Sequence, residues 1–227
     1  MKAIHFTKID FIKTKQQMWF APIIMLIVTV IMVINGSSGE RAYNAATLFF
    51  YPVFIAIVFS TIPFGACRRE DAGFMLMLPA TTRDRVVGRF LYGIIMLLLA
   101  AAIGEICIAG YMVLGYRLRP MDLFVCLIGF SVALLLVVVE YVFLYLFGEN
   151  QGPQMLSLVR MIPGMCYFFV GLNISSKLME EPGAVADAVA TLIDHLMSIS
   201  IAGVAVSIIV LVAAIELCVR VTEKKDC

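Results

Sequence analysis

Six apolar runs dominate this chain: residues 19–35, 43–67, 86–115, 121–147, 155–173 and 197–219. A helix needs roughly 20 mainly apolar residues to cross the hydrocarbon of a bilayer. Most of these runs meet that length, and none reads as alternating strand. The sequence therefore predicts an all-α membrane protein with six transmembrane helices in one transmembrane domain spanning 1–227. Composition excludes the soluble alternative: 62% of residues are hydrophobic and only 15% charged, against about 25% charged in a soluble domain. Pro52, Pro63 and Pro163 fall inside runs. Each removes a backbone donor, so kinks are expected there.

The distribution of charge orients the spans. With the N-terminus inside, 13 of the 17 Lys and Arg residues fall on the inner side. They lie before the first run, between the second and third, in and around the loop joining the fourth and fifth, and after the sixth. Arg41, Arg117, Arg119 and Lys177 fall outside. Positive charge favours the cytoplasmic side, so both termini are expected in the cytoplasm. The first run is long for a secretory signal and is expected to stay uncleaved, although Gly36-Ser37-Ser38-Gly39 follows it.

The net charge of +1 gives no footprint for nucleic acid. Six scattered cysteines and two distant histidines form neither a disulfide framework nor a zinc site. No GxxxxGK[ST] loop, HExxH or GxSxG occurs, so the chain is not expected to be an enzyme or to bind a cofactor, ATP included.

Three segments outside the runs carry information. Residues 1–18 mix Phe6, Ile9 and Ile12, which share a helical face, with Lys8, Lys13 and Lys15. This predicts an interfacial helix near anionic lipid. Residues 68–85 hold a short apolar helix, Gly73–Leu78, between the charges at Arg68, Arg69, Glu70 and Asp71 and the break at Pro79. Thr81 and Asp84 fit a capping box opening the third span. A short apolar helix facing the cytosol suits docking to a soluble partner. Between the fifth and sixth runs, Val185, Val189, Leu192 and Leu196 align opposite Asp187, Thr191 and Asp194. This is an external amphipathic segment, interfacial or re-entrant.

Charges inside spans are costly, on the order of 2.5–3.5 kcal/mol at the centre. Glu140 and Arg160 both count to about 8–10 Å from the inner edge at 1.5 Å per residue, so an ion pair between the fourth and fifth spans is expected. It would serve helix packing or the transport path. Glu105 has no partner at matching depth. It would line a watery cavity, bind a cationic substrate group, or be protonated and hydrogen-bonded. Glu216 is expected to reach water near the inner interface.

Phe74-Met75-Leu76-Met77-Leu78-Pro79, Thr82-Arg83 and Val87-Gly88-Arg89-Phe90 resemble the corresponding region of type-2 ATP-binding-cassette exporter permeases. The layout is similar along the whole chain. Small bacterial half-size permeases that export amphipathic peptides, such as phenol-soluble modulins or bacteriocins, are the nearest kind. The loop after the fourth run departs from such permeases, carrying Glu149-Asn150 where they often have basic residues. The resemblance implies a cytoplasmic-membrane location and an assembly of two permease copies with two soluble ATPase subunits, which would hold ATP and Mg. Residues 68–79 would be the coupling helix, with Arg68, Arg69, Glu70, Phe74, Met75, Leu78 and Pro79 at the contact. Glu105, Glu140 and Arg160 would border the path of a hydrophobic or amphipathic peptide. The competing readings are a peptide immunity factor or sensor without an ATPase, and an ion-coupled transporter using Glu105 or Glu140.

Overall fold

The computed structural model describes residues 2–15, 20–27, 30–31, 45–66, 81–113, 123–148, 156, 191 and 195–226. Every regular element among them is a helix. In chain order they are α1 (Lys2–Lys13), α2 (20–27), α3 (Ala45–Ser60), α4 (Ile62–Ala66), α5 (Thr82–Val113), α6 (Leu123–Gly148) and α7 (Leu196–Asp226). Three of them, α5, α6 and α7, are long and apolar enough to cross a membrane, and Leu48–Phe64 is a shorter apolar helix. Apart from Leu156, the fifth run with its Arg160 lies outside the described residues, as do the coupling residues Arg68–Pro79 and most of the external amphipathic segment.

The second run breaks at the position its sequence marks. Helix α3 continues through Pro52 but ends at Ser60, three residues before Pro63. Pro63 offers no N–H to the carbonyl of Phe59. Ser60 and Thr61 turn their hydroxyls back onto the carbonyls of Ile57 (2.7 Å) and Val58 (3.0 Å), which further loosens the helical ladder. The Phe64 amide then bonds to Thr61 at 3.1 Å, one residue short of the regular pattern. The freed carbonyl of Ser60 takes the buried hydroxyl of Tyr141 at 2.6 Å. A neighbouring helix thus supplies the donor that the break removed, as a membrane interior requires.

Small residues set the approach of the helices. In lipid the hydrophobic effect does not drive helices together, so close van der Waals packing matters. A Cβ on Gly104 would stand 2.9 Å from the Phe49 ring, and one on Gly129 would collide with the ring of Phe50. Helix α7 buries a stripe of small residues, Ser200, Ser207, Ala214 and Cys218, with Gly203 facing Ser131. Its serine hydroxyls bond to their own helix, Ser200 to Met197 and Ser207 to Val204, so burial leaves no hydroxyl unpaired.

The outward faces are apolar. Ala21 and Met25 are buried, whereas Phe20, Ile23, Ile24 and Ile27 of α2 are exposed. Only 17% of the apolar window of α7 is buried, against 44% for α6, so α7 lies at the edge of the bundle. Such surfaces suit lipid rather than water.

Candidate functional site

One end of the bundle gathers five of the helices. It begins where the chain enters α5. The Thr81 hydroxyl donates to the Asp84 carboxylate at 2.7 Å, and the Asp84 amide donates to Thr81 Oγ1 at 3.2 Å. The Thr81 amide completes the reciprocal pattern at 3.4 Å. This is the expected capping box, and it places the helix start at Thr82, directly after the segment 68–80. Thr81→Ala and Asp84→Ala are each expected to cost about 1 kcal/mol. The double variant should lose little more than either single one, measured by denaturant unfolding of the purified protein. Fully additive losses would show that the two residues act separately.

One turn further, α1 crosses α5 at Gly88. A Cβ there would stand 2.7 Å from Phe6 Cβ and 2.9 Å from the Ala3 carbonyl. The Thr7 hydroxyl donates to the Gly88 carbonyl at 2.9 Å. Further along, Thr14 Oγ1 meets the Tyr92 hydroxyl at 3.3 Å, and the Phe11 and Tyr92 rings pack at 4.8 Å. The face of α1 that docks is therefore mixed: Phe6, Thr7, Asp10 and Thr14 are all buried. Of the expected apolar face, Phe6 is buried but Ile12 is 61% exposed. Ile4, His5, Lys8, Ile12 and Lys15 form the outer face. Contact with α5, rather than a lipid-facing hydrophobic stripe, sets the roll of α1. The outer mixture of isoleucine and lysine still suits a headgroup layer.

Behind this contact lies an aromatic cluster. Phe64 meets Tyr141 edge-on at 4.9 Å and Tyr145 at 5.4 Å. Phe90 meets Tyr141 at 5.1 Å. The Arg89 guanidinium lies 4.6 Å from the Phe64 ring centroid and hydrogen-bonds the Tyr145 side chain. Asp10 is close enough to act electrostatically on Tyr92, Tyr141 and Tyr145. From α7, Lys225 Nζ donates to the carbonyls of Tyr145 (2.8 Å) and Leu146 (3.1 Å). A cation on the last carbonyls of a helix is favourable, and Gly148, with φ of 72°, closes α6 just beyond. The arrangement ties α1, α4, α5, α6 and α7 together near the start of α5, which follows residues 68–80 in sequence.

The sequence marked Gly88, Arg89 and Phe90 but did not reveal their partners. Thr7, Asp10 and Thr14 stand at helical spacing in the sequence, a signal the apolar pattern of the segment overshadowed. Tyr141 and Tyr145 are one turn apart. Neither pattern indicates which helix it meets.

The intramembrane carboxyls are far apart. Glu140 is 1% exposed and engaged by a neighbour, whereas Glu105 is on the exposed face of α5. The Phe90–Tyr141 contact fixes the relative level of α5 and α6, and Glu105 lies 15 residues beyond Phe90. That places it about 20 Å along the bundle from Glu140. Glu216 is also exposed and pairs with Arg220 at 3.5 Å.

Long apolar helices tied together by small-residue contacts, with helix breaks repaired by neighbours, define a multi-pass membrane protein. The profile of the ABC-2 family transporter proteins matches residues 7–221, and the chain belongs to that family. It is thus an inner-membrane component of the ABC transporter kind, without an ATPase of its own. No curated protein and no solved structure shows a significant match to it.

Proposed function

We propose that this chain is the membrane permease subunit of an ATP-driven exporter, moving an amphipathic peptide or other hydrophobic substrate out of the cytoplasm by alternating access. The observation that carries this reading is the family match over residues 7–221, which takes in α5 and α6 and most of α7. In this reading six spans cross the membrane with both termini in the cytoplasm, in keeping with the charge bias. Two copies of the chain pair, and each engages a soluble ATPase that holds ATP and Mg. Arg68, Arg69, Glu70, Phe74, Met75, Leu78 and Pro79 form the contact. ATP binding closes the ATPase dimer, and the push enters the bundle through the capped start of α5. The node around Gly88 and Arg89 then distributes it to four other helices. Glu105, Glu140 and Arg160 border the substrate path.

The test is to replace Phe74 and Leu78 together by aspartate. The double variant should reach the membrane at wild-type level. ATP hydrolysis by the permease–ATPase assembly should fall at least tenfold, because two buried charges at one contact cost several kcal/mol. Hydrolysis at wild-type rate in the double variant would place the coupling contact elsewhere.

A further inference from the structure

We infer that Glu105 is a recognition point for a basic group on the substrate, so that the exported molecule is a cationic amphipathic peptide. This rests on the exporter reading and makes it more specific. Helix α5 has 32 residues, and Glu105 lies eight residues before its end at Val113, about 12 Å along the axis. It stands well inside the apolar stretch. Leu98, Ala102, Glu105, Ala109 and Met112 follow one another at steps of four and three, so they share one face. All five are exposed. The residues one turn to either side, Ala102 and Ala109, carry only methyl groups. Beside them a Cβ on Gly110 would find nothing within 4 Å. The carboxyl therefore rises from a shallow trough whose walls are Leu98, Ile106 and Met112, exposed by 54%, 68% and 49%.

Among the described residues no hydrogen bond or ion pair reaches Glu105. Hydrocarbon is a poor solvent for it, so some polar group must meet this face. Among the described residues no Lys or Arg lies near the level of Glu105. No Lys or Arg occurs between Arg89 and Arg117. Of the two basic residues inside the six apolar runs, Arg89 sits near the start of α5 against the Phe64 ring and Arg160 counts to the inner half of its run, whereas Glu105 lies about 20 Å beyond the level of Glu140. A second copy is no better. A two-fold axis at this face would oppose Glu105 with its own copy. The complement that remains is an external cation carried on an apolar body. A Lys or Arg side chain on an amphipathic helix has that form, its charge meeting Glu105 and its apolar face lying on Leu98, Ile106 and Met112.

The probes are two fluorescent helical peptides of equal length and leucine content, one with lysine on its polar face and one with glutamate. Binding is measured to the permease in nanodiscs of neutral lipid, with empty discs subtracted. Peptide-stimulated ATP hydrolysis is measured in parallel on the permease–ATPase assembly. The wild type should bind the lysine peptide at least tenfold more tightly than the glutamate peptide, the scale of a close charge pair. Glu105→Gln should erase the preference, Glu105→Lys should reverse it, and Glu105→Asp should keep most of it. Glu216→Gln, which leaves the trough untouched, should keep all of it. An unchanged preference in Glu105→Gln and Glu105→Lys overturns the assignment, even if the lysine peptide stimulates hydrolysis. Wild-type protein that binds neither peptide overturns it as well. If the lysine peptide binds through Glu105 but no ATPase responds, the recognition point stands and the exporter reading fails.

Discussion

Gly93→Val is expected to destabilise the folded protein by about 3 kcal/mol, the upper end for overpacking a filled core. A Cβ at Gly93 would stand 2.6 Å from the Tyr141 hydroxyl, 3.0 Å from Tyr141 Cζ and 3.2 Å from Val137 Cγ1. The tyrosine has nowhere to retreat. Its hydroxyl is held by the Ser60 carbonyl at 2.6 Å, and its ring is flanked by Phe64 and Phe90. Moving it would also strand the carbonyl freed by the break before Pro63, a further cost of about 1–3 kcal/mol for a buried unsatisfied group. Tyr141→Leu alone should be destabilising for that second reason. In combination with Gly93→Val it relieves the clash, so the pair should cost at least about 1 kcal/mol less than the sum of the singles. Denaturant unfolding of the four proteins in detergent measures this directly. Strict additivity would mean that Gly93 and Tyr141 do not meet.

Gly88→Leu should detach α1 from α5. Here the neighbours are backbone and near-backbone atoms, Phe6 Cβ at 2.7 Å and the Ala3 carbonyl at 2.9 Å, so no side-chain rotation relieves the clash. The helix must move, and with it go the Thr7–Gly88 bond at 2.9 Å and the Thr14–Tyr92 contact at 3.3 Å. A cysteine introduced as Thr7→Cys reports the change, because position 7 is only 5% exposed. Maleimide labelling of that cysteine should be slow in the parent and at least tenfold faster with Gly88→Leu, the signature of a local opening whose free energy has dropped by more than about 1.4 kcal/mol. Gly110→Ala is the control. With nothing within 4 Å of its Cβ, it should leave labelling unchanged and gain up to about 1 kcal/mol of helix propensity. Equal labelling rates with and without Gly88→Leu would show that α1 is not seated on that glycine.

These glycines show where sequence reading stops. Hydropathy located the long helices because lipid selects for apolar length, but it did not locate their ends. The third run was read as 86–115, while α5 begins at Thr82, because the capping box rather than hydropathy starts the helix. The sixth was read as 197–219, while α7 runs to Asp226. Its charged last turns are apolar in no sense, yet Lys225 anchors them to the carbonyls of α6. The box itself was legible, since Thr81 and Asp84 are local to each other. So was the break near Pro63. The donor that repairs the break was not, because Tyr141 is 81 residues from Ser60 and nothing local records that pairing. The docking of α1 failed in the same way. Its apolar positions stood out, and the buried polar stripe of Thr7, Asp10 and Thr14 had meaning only once α5 was beside it.

The central claim, that this permease works with a separate ATPase, is tested most directly by isolating the tagged protein gently from its native host. What co-purifies is then quantified by mass spectrometry. The account predicts a soluble ATP-binding-cassette ATPase at one copy per permease chain. A permease recovered intact and folded with no such ATPase at any stoichiometry would contradict it.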